Sequence, residues 1–299
     1  DSLKLNFGNI SNNPGKLDIN ATEILGLGPT GEYSGDWMHA NSVHYNENLD
    51  QIIISCRRTN EFYIIDHSTT TEEAESNQGG NSGVGGDFLY RWGNPQNYGR
   101  GDSTDQVTFA QHSVNWIPNG FPGEANILIF NNGVTQLASN HDMRSSIIEI
   151  TPPLNNNQYF IEDNLAFGPE TYEWFYNGRD EFEFLSIIQG GAFRLSNGNT
   201  IITSSSTPSI FEVSPDGEIE WSVNMPNSGI ARAQKFDLNY FVTFPAEDIN
   251  QDSVVNIEDV LLLVIFITNG TPTLTAGDLN DDGLLNIVDI LILVQVIIN

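Results

Sequence analysis

This sequence is poor in cysteine, in positive charge and in long apolar runs. Its single cysteine, Cys56 among 299 residues, excludes an internal disulfide framework. Cys56 lies in the run IIISCRR, where packing within a buried strand is its expected role. Eleven Lys and Arg stand against 39 Asp and Glu, a formal net charge of −28. Such a surface repels nucleic acid and anionic lipid and excludes both as partners. It attracts cations and keeps a protein soluble in a salty medium, where screening weakens self-repulsion. The longest apolar run, Val260–Ile267, is less than half of the roughly 20 residues a membrane span requires. The chain opens on Asp1, which fits an export signal upstream and a secreted, extracellular bacterial protein.

What is present from Leu3 to about Phe244 is a uniform texture of short β-rich runs and Gly/Asn turns, almost without helical periodicity. Strands are expected at Gln51–Ser55, Phe62–Asp66, Phe88–Trp92, Ala125–Phe130, Ser146–Ile150, Glu173–Tyr176, Ala192–Leu195, Thr200–Ser204, Ile210–Val213 and Ile219–Val223. A unit of strand, NG turn, strand, loop, strand, DG turn and Trp-bearing strand recurs, most completely over Ala192–Val223, and again over Ser113–Ile150 and Ser42–Asp66. Four-stranded units repeated in this way predict a β-propeller of roughly five to six blades, with a two-sheet sandwich as the competing arrangement. The Gly-rich stretch Ser76–Gly86 reads as an exposed flexible loop. Composition shifts near Pro245, which divides a β domain over 1–245 from a small α module over 246–299.

That module contains two segments offset by thirty residues, DINQDSVVNIEDVLLLV from Asp248 and DLNDDGLLNIVDILILV from Asp278. Oxygen-bearing side chains recur at relative positions 1, 3, 5, 9 and 12: Asp248, Asn250, Asp252, Asn256 and Asp259, then Asp278, Asn280, Asp282, Asn286 and Asp289. Val254 and Leu284, at position 7, add a backbone carbonyl. A hard cation takes roughly six to eight oxygens at short range, and a tight loop supplies them from alternate residues. Two bound Ca2+ ions are therefore expected. Gly283 occupies the sharpest point of the second loop, while Ser253 holds that place in the first and strains it.

The D-x-N-x-D-G-x-x-N-x-x-D loop, present twice with a helix after each copy, resembles a type I dockerin over Asp248–Asn299. The resemblance implies an EF-hand-like module that folds on two Ca2+ ions and docks onto a cohesin. This chain departs from that pattern in its helices, where Val260–Ile267 and Ile290–Ile298 are apolar all round apart from Gln295. Such helices must bury their surplus against the β domain or another chain. The expected partner is a cohesin-like scaffold or further copies of the chain itself.

In the β domain, His39, Asn41 and His44 cluster where a strand begins, and Gln111-His112-Ser113 opens another unit. Strand alternation places His39 and Asn41 on one face. The segments DWMHANSV (Asp36–Val43), QHS (Gln111–Ser113), ILIFNNG (Ile127–Gly133), MRSSIIEI (Met143–Ile150) and GGAFRLSNGNTII (Gly190–Ile202) resemble the bacterial arylsulfotransferases. That resemblance implies a six-bladed propeller moving sulfate between phenols without a nucleotide donor. It implies sulfate-holding roles for His39 and His112. The family's sulfate-gripping arginine would fall near Gln136, with Arg144 close by. Its nucleophilic histidine falls in the GGAFRL segment, where this chain has Arg194, a group that stays protonated. His44, His67 and His141 are the remaining histidines. Two functions follow: a secreted calcium-dependent assembly protein, or an arylsulfate sulfotransferase using His39, His112 and Arg144. A propeller that binds a small anion near Arg144 and Arg194 is a third.

Overall fold

A computed structural model describes residues 8–18, 36, 38–133, 144–178, 184–226, 229–236, 244–269, 277–280 and 282–298. The chain divides into two compact units, Asp1–Lys235 and Phe236–Asn299, so the compositional break at Pro245 lies inside the second.

The first unit is antiparallel β. Sheet one is β1 (Ala40–Asn46), β2 (Gln51–Cys56), β3 (Glu61–Asp66) and β4 (Phe88–Trp92), paired in chain order. Sheet two begins with β5 (His112–Trp116), β6 (Ile127–Asn131) and β7 (Ser146–Ile150). A small hairpin, β8 (Leu154–Asn155) and β9 (Gln158–Tyr159), then interrupts before β10 (Trp174–Tyr176) completes the sheet beside β7. Sheet three is β11 (Gly191–Arg194), β12 (Thr200–Ser204), β13 (Ser209–Val213) and β14 (Ile219–Asn224). The three repeated units expected from sequence are these three sheets. Among the described residues three four-stranded sheets form, where five to six were expected.

Sheet two is the middle layer, and its alternation shows why. Ile127, Ile129, Ile148 and Ile150 pack with Ile53, Phe62, Ile64, Tyr90 and Trp92 of sheet one. The intervening Leu128, Phe130 and Ile147 pack with Ala192, Ile202, Phe211 and Val213 of sheet three. Both faces of β5, β6 and β7 are buried as a result, which accounts for the near-continuous apolar character of β6. The first strands of the sheets also touch. Val114 N–H donates to Ser42 Oγ at 3.0 Å, and Asn115 Nδ2 donates to the Ala192 carbonyl at 3.0 Å.

One loop expected from sequence gains detail, and one local expectation is corrected. Ser76–Gly86 is an internally hydrogen-bonded loop: Gly85 and Gly86 N–H donate to Gly79 and Ser76 carbonyls, and Ser82 N–H to Asp66 Oδ2 at 2.7 Å. It follows a single capped turn, α1 (Thr71–Ala74), in which Thr70 and Glu73 form a capping box. His39 and Asn41 do not share a strand face by alternation. His39 precedes β1 with φ +52°, and the pairing register shifts between Ala40 and Ser42, so Asn41 sits at a bulge.

In the second unit, α2 (Ile257–Asn269) and α3 (Ile287–Ile298) pack through matched residues of the thirty-residue repeat. Val260 and Ile290, Leu263 and Leu293, and Ile249 and Leu279 are equivalent pairs in one small core. Much apolar surface stays outside it: Ile257, Leu261 and Ile265 on α2, and Ile287, Leu291 and Ile298 on α3, are exposed.

Candidate functional site

The first strands of sheets one and two bring His39 and His112 to neighbouring positions. Asn41 Nδ2 donates to the Gln111 carbonyl at 2.8 Å. The Gln111 amide in turn donates to the carbonyls of Cys56, at 3.1 Å, and Glu61, at 2.7 Å. Arg57 N–H donates to the His39 carbonyl at 3.1 Å. The turn after β2 is thus stitched to both histidine segments. The backbone there is left-handed at three non-glycine residues, His39, Ala110 (φ +55°) and Ser113 (φ +47°), a strained arrangement of the kind held at functional sites.

His112 is buried, and its Nδ1 faces two carbonyl oxygens, Asn132 Oδ1 at 2.8 Å and the Ala110 carbonyl at 3.1 Å. Asn132 is held in this orientation because its Nδ2 donates to the Ser186 and Gln189 carbonyls. Two acceptors at Nδ1 require the proton there, which leaves Nε2 with its lone pair. Burial pushes the His112 pKa down. The charges of Arg57 and His39 act in the same sense, against the hydrogen bonds to Asn132 and Ala110. The result is a neutral imidazole of fixed tautomer.

His39 is partly exposed, and its Nδ1 pairs with the Asp36 carboxylate, whose pKa the contact lowers. Arg57 and Arg58 follow in the adjoining turn, and burial followed by the Arg58 charge lowers the Arg57 pKa. Sequence reasoning passed over both arginines. The signal was available, since two adjacent arginines are conspicuous in a chain with eleven basic residues.

Sheet three completes the comparison. His112 stands seven residues before the Asn119-Gly120 turn, and Gly190 stands seven before Asn197-Gly198. Gly190 has φ +97°, and a Cβ there would lie 2.5 Å from the Phe130 ring. No side chain fits at that place without moving Phe130. Arg194, at the far end of β11, is buried and ion-paired with Glu149, stacks 5.2 Å from the Trp174 ring and donates to the Gly198 carbonyl. Its role is to join sheets two and three. Cys56 is likewise buried, its thiol pushed up to about 12 by burial and then by Glu61, and is not a nucleophile.

The loops of the second unit share one hydrogen-bond pattern. In the first, Asp248 Oδ1 and Oδ2 accept from Asp252 and Ser253 N–H, and Asp252 Oδ1 accepts from Val254 N–H. In the second, Asp278 accepts from Asp282 and Gly283 N–H, and Asp282 from Leu284 N–H. Asn256 accepts from Glu258 N–H while Asp259 accepts from Asn256 N–H, and Asn286 and Asp289 repeat this exchange. These reciprocal bonds cap the starts of α2 and α3. Ser253 (φ +74°) and Gly283 (φ +80°) are left-handed at equivalent points. Asp259 and Asp289 are fully buried. Among the described residues no group of three or more His, Cys, Asp or Glu side chains is drawn together at metal-holding distance.

The family model for arylsulfotransferase (ASST) matches residues 16–226, well over half of the chain. The chain belongs to the arylsulfotransferase family. No curated protein matches it. Among solved structures it is similar to a protein of unknown function from Bacteroides caccae, at 13% identity and a TM-score of 0.31. The similarity covers 62% of this chain and 46% of the other, so the chain spans under half the length of that relative.

The arylsulfotransferase match contains His39, His112, Arg144 and Arg194 and stops short of both acidic loops. Of the four, the structure brings together His39 and His112. Arg144 is exposed just before β7, and Arg194 is held in its ion pair. His44, near Trp116, has its pKa lowered by burial and then by Arg232; His67 pairs with Asp50 at 2.6 Å. His141 lies outside the described residues.

Proposed function

We propose that this chain holds a sulfate ester at His39 and His112 and transfers the sulfuryl group to a phenol without a nucleotide donor. The carrying observation is His112, a neutral imidazole whose Nδ1 proton is committed to Asn132 and Ala110 and whose Nε2 is left for substrate. Membership of the arylsulfotransferase family supports the same reading. The three sheets are then consecutive propeller blades, and their touching first strands carry the site. With Arg194 locked to Glu149 and Gly190 in the position equivalent to His112, His112 Nε2 serves as hydrogen-bonding partner or proton acceptor to the reacting groups. The test is turnover of 4-nitrophenyl sulfate with phenol as acceptor. His112→Ala should lower kcat/KM by about a hundredfold or more, and equal turnover by parent and variant would remove His112 from the reaction.

A second reading concerns the tail, and the duplicated loop geometry favours it. Asp248, Asn250, Asp252, Val254, Asn256 and Asp259, and their counterparts from Asp278, would each hold one Ca2+ through carboxylate, amide and carbonyl oxygens. The fit rests on two fully buried carboxylates, Asp259 and Asp289, whose oxygens keep lone pairs beyond the N–H bonds they accept. In this reading calcium fixes the helical pair, and its exposed apolar residues dock an extracellular protein onto a cohesin-like scaffold or a second copy. Sedimentation of the intact protein with calcium and with chelator tests it. Identical profiles, alone and with a cohesin, would exclude calcium-dependent docking.

A further inference from the structure

The described arginines differ in one respect that bears on the proposed site. Arg91 is fully buried, with donors to Glu61 Oε1 and Oε2 and to the Lys16 and Pro14 carbonyls. Arg100 donates to the carbonyls of Ser11, Glu162 and Leu165. Arg194 has Glu149 and Gly198. Arg57 is half-buried, yet its guanidinium makes no hydrogen bond or ion pair among the described residues. A guanidinium has five N–H donors, and withdrawing them from water without acceptors is unfavourable. Arg91, Arg100 and Arg194 each meet that cost, in whole or in part, with carboxylate or carbonyl acceptors.

Arg57 is placed by its own backbone. Its N–H is bonded to the His39 carbonyl, and Cys56 pairs with Ala40 across β1 and β2. The carbonyl of Cys56 accepts from Gln111, the residue before His112. The free guanidinium therefore issues from the turn that ties the two histidine segments together. Its charge also reaches His112, on which it acts in the same direction as His39. The Arg144 carbonyl closes over Gly133, directly after the Asn132 that orients His112.

We infer that Arg57 is the cation that grips the anionic group in this site, in place of Arg144. The inference rests on the proposed sulfate-ester reading. Two parallel N–H donors of a guanidinium match two oxygens of a tetrahedral oxyanion. The charges of Arg57 and His39 both act on the His112 imidazole.

The experiment uses the full chain and three variants, Arg57→Gln, Arg57→Lys and Arg144→Gln. Inorganic sulfate binding is measured by calorimetry and KM with 4-nitrophenyl sulfate, while the His112 imidazole is titrated by NMR. Arg57→Gln should weaken sulfate binding and raise KM by about tenfold or more, with Arg57→Lys intermediate and Arg144→Gln close to the parent. Removing the Arg57 charge should also raise the His112 pKa, a readout that a merely structural residue would not move in that sense. Sulfate binding and a His112 titration both unchanged in Arg57→Gln would overturn the assignment alone. A weakening caused by Arg144→Gln and not by Arg57→Gln would return the role to Arg144. No sulfate binding and no turnover by the parent would instead overturn the sulfate-ester reading itself, and the assignment with it.

Discussion

At the scale of single residues, the most deeply buried ion pair of the first unit is held by several partners at once. Glu61 and Arg91 are both fully buried and joined at 2.6 and 2.8 Å, and Asn97 and Tyr63 also donate to Glu61. Arg91 lies 4.4 Å from the centre of the Tyr98 ring. Removing one member leaves the other buried and uncompensated. Arg91→Ala should therefore lose about 3–5 kcal/mol of unfolding free energy, measured by denaturant titration. A loss below about 1 kcal/mol would mean that water replaces the guanidinium. Titrating groups give a second prediction. The pKa values of His44 and His112 are lowered on folding, so the unfolded chain binds more protons below about 6.5. Their contribution to stability is complete above that pH and is lost as pH falls through the folded values. In Glu212 burial opposes ionisation, but hydrogen bonds from Lys235, Asn199 and Trp221 outweigh it and hold the pKa at about 2. Its contribution is present above its usual value of 4.5 and disappears as pH falls toward 2. Melting temperature against pH should fall in two stages, and replacing His44 and His112 by Gln should flatten the upper one.

At the scale of elements, legibility followed how local the determining physics was. Strands such as Ser146–Ile150 and Thr200–Ser204 were readable because both faces are buried and turn residues bound them. The sheet-three unit was readable from its NG and DG turns. The bulge at Asn41 was not, because it answers to the neighbouring sheet through Gln111, 70 residues away in sequence. The same holds for Arg57, whose relation to His112 exists only after two sheets meet. Helix starts were half legible: Asn256 and Asp259 were read as metal ligands and also cap the start of α2. The loop turn gives the sharpest element-scale prediction. Ser253 takes φ +74°, where its counterpart is Gly283. Ser253→Gly relieves that strain and should stabilise the second unit by about 1 kcal/mol, read from hydrogen exchange of α2 amides. Faster exchange in the variant would show that loop hydrogen bonds to the Ser253 backbone had absorbed the strain.

At the scale of the whole molecule, charge is unevenly distributed. From Phe236 onward there are ten Asp and Glu and no Lys, Arg or His. The first unit can pair its buried carboxylates with Arg91, Arg194 and Lys235. The second has no cationic side chain of its own, although it buries Asp248, Asp259 and Asp289. Backbone N–H groups satisfy these oxygens as hydrogen-bond acceptors but leave their net charge uncompensated. Two kinds of counter-charge can fill that need, and they differ in how they depend on the ion. Diffuse screening acts through ionic strength alone, with a range of about 8–10 Å near physiological salt. A coordinated divalent ion acts through occupancy and adds about 2.7 kcal/mol at a hundredfold excess over its Kd. The full chain should therefore slow amide exchange in Ile257–Asn269 and Ile287–Ile298 far more with calcium than with sodium chloride of equal ionic strength, while exchange in β5–β7 stays unchanged. Equal protection by the two salts would mean that the acidic loops are served by screening, with the helix-capping hydrogen bonds alone accounting for Asp259 and Asp289.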